Sequence, residues 1–174
     1  MQTFSGRKFY PLDPMPEEIY IEDIASALSN LCRFGGQVQK FYSVAEHSIL
    51  ISRKLGINCK LWGLLHDAGE AYVQDLVKPL KLALPEYKKI EMRVMDAVVI
   101  RFGLNPVTMP MAVEAADICI LNDEHRQVMK PGLDWWHDSK TPLGVDIEFW
   151  EPTEAMDKFI KEYKYLGGKY VPNN

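Results

Sequence analysis

The sequence predicts an all-α fold: six helices around one core, with a small N-terminal hairpin or extended arm. Three observations predict it. Apolar residues recur at spacings of three and four in segment after segment, which is the helical period. Glycines close most of these segments, while Ser, Pro or Thr opens several of them. Strand-prone residues next to a tight-turn signal are confined to the first twenty positions.

In chain order, Thr3-Phe4, Ser5-Gly6 and Lys8 to Tyr10 suit a short hairpin, and three prolines by position 16 draw out an arm. Arg7 and Lys8 read as solvated charges. Residues 22–33 set Ile24, Ala25, Ala27, Leu28 and Leu31 on one helical face, stopped by Gly35-Gly36. Arg33 then falls in the last turn, where the helix dipole favours a cation. Ser43-Val44-Ala45-Glu46 matches a capping box, with Glu46 bonding back to the cap. That helix runs through Leu50, Ile51 and Leu55 to Gly56, with His47 in its first turn.

A third helix is expected from about residue 60 to 72, followed by Lys78-Pro79-Leu80-Lys81, a basic break in the pattern. Pro85 opens a long amphipathic helix through Ile90, Val94, Ala97 and Val98 to Phe102, with Gly103 as its stop. The helix from 111 to 129 carries Val113, Ala116, Ile120 and Leu121 on one face. Its Asp117 sits among Ala115, Ala116, Ile118 and Cys119, and a carboxylate in an apolar setting implies a nearby cation. Residues 131–150 show no period yet hold three of the four tryptophans, and Trp135-Trp136 are expected to cover a core or a subunit interface. Thr153 caps a last helix through Met156, Phe159, Ile160 and Tyr163, ending at Gly167-Gly168. No repeat or composition shift divides the chain, so residues 1–174 read as a single domain.

An apolar fraction of 47% excludes a disordered chain, and no apolar run reaches the length of a membrane span. The net charge of −4 argues against binding polymeric nucleic acid, though not against a small anionic substrate. Three cysteines form no paired framework, and the N-terminus has no secretory h-region; a cytoplasmic chain is expected.

The chemistry centres on Leu61 to Asp75, LWGLLHDAGEAYVQD. On a helix, His66 and Glu70 project together with Asp67 beside them. Imidazole next to carboxylate suits a hard-to-borderline divalent metal, and an acid one turn away can handle the protons of an attacking water. His47, His66, Asp67 and Asp117 lie on three expected helices and together make a plausible mononuclear metal site.

With these residues in place, the chain resembles the HD-domain metal-dependent phosphohydrolases, whose pattern is H…HD…D. The stretches LCRFGG, YSVAEHS, LLHDAGE, QD and EAAD, with the openings FSGRKFYPLDP and IEDIASALSNLCRF, are similar to the branch holding 5′-deoxynucleotidases and small phage dATP triphosphohydrolases. The resemblance covers roughly residues 3 to 125. It implies an HD-domain helical bundle and a divalent metal (cobalt, manganese, zinc, magnesium or iron) held by His47, His66, Asp67 and Asp117. It also implies catalytic roles for Glu70, which works with the attacking water, and for Asp75, a second acid beside the substrate. Arg33 would hold the substrate phosphate, and Phe34 would face the base or sugar where the branch's nucleotidases carry tryptophan. A homo-oligomer (dimer or hexamer) is expected, in the host cytoplasm if the protein is phage-encoded.

The expected reaction is water attack on the α-phosphorus of dATP, giving deoxyadenosine and triphosphate. Lys78 and Lys81 are the nearest cations in sequence for the extra phosphates. The alternative substrate is a deoxynucleoside monophosphate. The rival from another class is a non-catalytic nucleotide-binding domain of the same fold, which would need neither Glu70 nor Asp75.

Overall fold

The computed structural model describes residues 1–132 and 141–169. Trp135-Trp136, expected to cover a core or an interface, fall outside the described residues. Among those residues the chain is all-helical apart from two isolated antiparallel bridges, Gln2 with Lys8 and Cys32 with Ser43. The first bridge is the expected hairpin: Gly6 takes a left-handed φ of 80° at its tip. Asp23 then pins that tip by accepting from the Ser5 backbone N–H at 2.7 Å and the Ser5 hydroxyl at 3.0 Å. Arg7 is not a solvated charge, because it pairs with Glu22 at 3.2 Å and lies over the Tyr20 ring.

The helices are α1 (Ile21–Asn30), α2 (Val44–Lys54), α3 (Ile57–Leu65), α4 (Glu70–Val73), α5 (Lys78–Ala83), α6 (Pro85–Phe102), α7 (Met111–Val128) and α8 (Pro152–Tyr165). Helix α2 is the centre of the bundle, touching α1, α3, α7 and α8, while α1 lies along α8. One apolar cluster joins Ile24 and Leu28 of α1 to Ala45 and Ile49 of α2, Leu64 and Leu65 of α3, Val94 and Val98 of α6, and Phe159 of α8. Each fully buried aliphatic side chain there contributes about 1.5–3 kcal/mol. A second cluster, on the other side of α2, holds Ile51, Ala116, Ile120, Val128, Val145 and Ile147. His47 shares the helix with both clusters and is itself fully buried.

Several local expectations change. The helix expected over 22–33 stops at Asn30, so Arg33 is not in a last helical turn. It begins a separate 3-10 turn, Arg33–Gly36, in which Phe34 and Gly35 have φ near +60°. The stop comes early because residues 32 and 43 pair, with the Arg33 N–H donating to the Tyr42 carbonyl at 2.9 Å. The helix expected from about 60 to 72 is divided at residues 66–69 between α3 and α4, and the basic break at 78–81 is itself the short helix α5.

Ser43 caps α2, accepting from the Glu46 N–H at 3.0 Å, but Glu46 does not bond back to the cap. Its carboxylate instead accepts from three consecutive backbone N–H groups, Glu148, Phe149 and Trp150, at 2.8, 3.1 and 2.9 Å. Those donors would otherwise be unsatisfied, which outweighs one bond to the cap. Thr153 lies inside the first turn of α8 rather than capping it, since Pro152 already begins the helix. No described helix is long and apolar enough to cross a membrane.

Candidate metal centre

The segment between α3 and α4 shapes one side of the site. Its hydrogen bonds span three residues: Ala68 N–H to the Leu65 carbonyl, Glu70 to Asp67, Ala71 to Ala68 and Tyr72 to Gly69. Such tightening brings residues three apart into register. Glu70 is therefore aligned with Asp67 rather than with His66, the neighbour that uniform α-helical spacing suggested. The His66 ring turns back so that Nδ1 donates to the Gly63 carbonyl at 2.8 Å.

His47, in the first turn of α2, faces this segment from the bundle's centre, and the two imidazole centroids are 5.3 Å apart. Its Nδ1 lies 2.8 Å from Glu124 Oε1. Both outer ring nitrogens are thus engaged, and both Nε2 atoms point inward. His47 Nε2 is 3.2 Å from Asp117 Oδ1 and 3.7 Å from Asp67 Oδ2. His66 Nε2 is 3.2 Å from Asp67 Oδ2 and 3.9 Å from Asp117 Oδ1.

The donor set fits a divalent cation. His47, His66 and Asp67 offer ligand atoms mutually within 4.8 Å, and Asp117 closes the group at the distances above. Both Nε2 atoms are buried without a well-formed hydrogen bond. An imidazole that donates through Nδ1 presents a lone pair at Nε2, and a lone pair against a carboxylate oxygen is repulsive unless a positive charge lies between them. The acids open the group outward: the Asp67 and Asp117 side chains are 22% and 41% exposed, whereas His47 has no exposure.

A proton on Nε2 relieves the same repulsion, and His66 favours one when no cation is bound. Burial works against a charged His66, but Asp67 and then Asp117 outweigh it and push the imidazole up to about 9. Burial likewise opposes ionised Asp67, yet His66, His47 and Arg33 hold it well below the usual carboxylate range. Glu70 goes the other way. Burial first, then the charges of Asp67 and Asp75, raise it well above the ordinary value against the pull of Lys81.

Of the other expected site residues, Arg33 is buried beside the candidate metal ligands. Its guanidinium Nε lies 3.0 Å from Glu124 Oε1, and Nη1 lies 3.7 Å from Asp67. Phe34 follows it, half-buried, with its ring centroid 5.3 Å from the Arg33 guanidinium carbon. Glu70 is buried, with Oε1 accepting from Lys81 at 2.6 Å and Oε2 left without a partner. Lys81 also donates to Glu91 at 2.8 Å, so its ammonium bridges two carboxylates. Asp75 is half-buried just beyond α4, and Lys78 is exposed at the start of α5.

Sequence reasoning missed Glu124, a fully buried acid touching both His47 and Arg33. A signal was present. Glu124 is seven residues after Asp117, two turns on and on nearly the same face of α7. Burial opposes its charge, but Arg33 and then His47 keep its carboxyl below the ordinary value.

No family model matches the chain. It is 42% identical over 156 residues to the uncharacterized protein YfdR of Escherichia coli (strain K12), spanning 90% of this chain and 79% of the relative. It is also 38% identical over 140 residues to an uncharacterized protein of Rhodobacter capsulatus, spanning 73% of this chain and 71% of that one. At that identity and coverage, the chain belongs to the family that includes YfdR.

Proposed function

We propose that the chain is a metal-dependent deoxynucleotide phosphohydrolase of the HD-domain type, with dATP cleaved to deoxyadenosine and triphosphate. One observation carries this reading. The two histidines have their outer nitrogens engaged by Glu124 and the Gly63 carbonyl, and their inner nitrogens converge on Asp67 and Asp117. Metal ligands are commonly oriented in this way by groups behind them. A divalent cation, when bound, supplies Lewis acidity toward a phosphate oxygen and toward the attacking water.

The chain's own residues divide the remaining work. Glu70 is outside the ligand group, buried, and has one free carboxylate oxygen, so it can take the proton of the attacking water. As the bond from phosphorus to the 5′ oxygen breaks, that proton is available to the departing nucleoside. Asp75 acts as a second acid close after Glu70 in sequence. Arg33 compensates phosphate charge through its guanidinium, beside which Phe34 offers a ring to sugar or base. Lys78, exposed at the mouth of α5, is the cation suited to the outer phosphates.

A second reading, hydrolysis of deoxynucleoside monophosphates, is favoured by Lys81. Its ammonium is committed to Glu70 and Glu91, which leaves fewer cations for a β,γ-phosphate tail. The deciding experiment incubates chelator-treated protein with Mn²⁺ and each deoxynucleoside mono- and triphosphate, resolving the products by ion-exchange chromatography. Intact triphosphate with deoxyadenosine supports the first reading. Release of single phosphates from monophosphates moves the assignment to a 5′-nucleotidase. Nucleotide binding without any product overturns both in favour of a non-catalytic binding domain.

A further inference from the structure

Glu124 is a buried acid that touches both His47 and Arg33, and this joint contact has a consequence for how the site is built. It has no solvent exposure, and it lies on α7 two turns beyond Asp117. Oε1 is 2.8 Å from His47 Nδ1 and 3.0 Å from Arg33 Nε, and Oε2 accepts from Arg33 Nη2 at 3.3 Å. A carboxylate can only accept, so the contact at 2.8 Å calls for a proton on His47 Nδ1, and with a cation at Nε2 that is the only proton the ring carries. Only that tautomer leaves Nε2 with a lone pair directed at Asp67 and Asp117.

His66 reaches the same state differently, through the neutral carbonyl of Gly63. Its holder comes with the local turn, whereas the holder of His47 comes from a separate helix and carries a charge. That charge also fixes Arg33. The arginine backbone is tied to Tyr42, five residues before His47, and its side chain is locked to the same carboxylate.

We propose that Glu124 is a positioning residue with two tasks: it sets the metal-binding tautomer of His47 and it aims Arg33 toward the metal group. The Arg33 half of this rests on the phosphohydrolase reading, and the His47 half stands apart from it. Loss of Glu124 then impairs cation binding and phosphate binding together, although Glu124 reaches neither ligand itself.

The test uses full-length wild type, Glu124→Ala, Glu124→Gln, and Glu114→Gln as an exposed control on the same helix. Two readouts are independent of turnover: ¹⁵N imidazole spectra without metal, which report the tautomer, and calorimetric titration with Mn²⁺ alone. Wild type is expected to show His47 protonated at Nδ1. Glu124→Ala should mix the tautomers and weaken Mn²⁺ by about 10–100-fold, the usual range for such outer partners. Gln keeps an acceptor for Nδ1 without the charge that locks Arg33. Glu124→Gln should therefore keep the tautomer, recover most of the Mn²⁺ affinity, and raise KM for nucleotide more than it lowers kcat. It also covers the case in which the Ala variant does not fold.

His47 lacking a proton on Nδ1 in wild type, or unchanged spectra and Mn²⁺ affinity in folded Glu124→Ala, would overturn the proposal. If wild type bound no divalent cation, the functional reading would fall while the tautomer spectra still decided the role of Glu124.

Discussion

The two walls of the metal centre are held in opposite ways. The inner wall, His47 with Arg33, depends on a carboxylate 77 and 91 residues further along the chain. The outer wall, His66, Asp67 and Glu70, depends on neighbours: the Gly63 carbonyl three residues back and Lys81 eleven residues ahead. The inner wall is closed, with His47 and Glu124 fully buried. The outer wall opens to solvent through Asp67 and abuts α5, whose Leu80 and Leu82 are exposed. Under the proposed function the labour divides accordingly: rigid orientation comes from the bundle's centre, and proton handling and substrate entry belong to the locally built rim.

The largest expected effect lies on the rim. Glu70→Gln keeps the shape and the acceptor for Lys81 but removes the base, so turnover should fall by about 10²–10⁴-fold, while Mn²⁺ affinity stays close to wild type. Steady-state kinetics beside a metal titration checks this, and unchanged turnover would leave Glu70 a merely structural acid. Lys81→Met is the next step down. Burial, Asp67 and Asp75 already raise Glu70, and Lys81 opposes them. Removing the cation disfavours the carboxylate further, so the acid limb of kcat/KM should move to higher pH. A limb that stays in place, or moves down, would detach Lys81 from Glu70.

This contrast also explains how much was legible in the sequence. The all-α class, the hairpin, the Ser43 cap and the Gly103 stop follow from local period or turn chemistry, whereas the grouping of His47, His66, Asp67 and Asp117 leaned on the resemblance to the pattern H…HD…D. The misplacement of Arg33 arose because the apolar period continues to Leu31, while the pairing of Cys32 with Ser43 that ends the helix is a tertiary event. Glu46 fitted a capping box by spacing, but unsatisfied N–H groups 102 residues away claimed its carboxylate. Glu124 was missed for a related reason: its spacing from Asp117 places it on nearly the same face of α7, but its contacts with His47 and Arg33 are tertiary.

The smallest effect tests the seam between the walls. A Cβ on Gly63 would come within 2.5 Å of Leu55 Cδ1 and 3.1 Å of the Ser52 Cα, where α3 presses on α2. Backbone cannot move aside as a side-chain tip can. Gly63→Ala should therefore cost about 1–3 kcal/mol of stability, as overpacked cores do. It should also weaken Mn²⁺ binding by displacing His66 relative to His47. Urea denaturation reads the first effect, and a midpoint equal to wild type would show that the two helices are not in close register.

The most direct test of the central claim is metal content. Purified wild type, reconstituted with Mn²⁺ or Co²⁺ and desalted, should retain about one equivalent per chain by plasma mass spectrometry, as a mononuclear site requires. Asp67 belongs to neither apolar cluster, so Asp67→Ala should keep its helical circular dichroism while losing both the metal and hydrolysis. A wild-type chain that retains no metal, or a folded Asp67→Ala chain that retains as much metal and activity as wild type, would contradict the account.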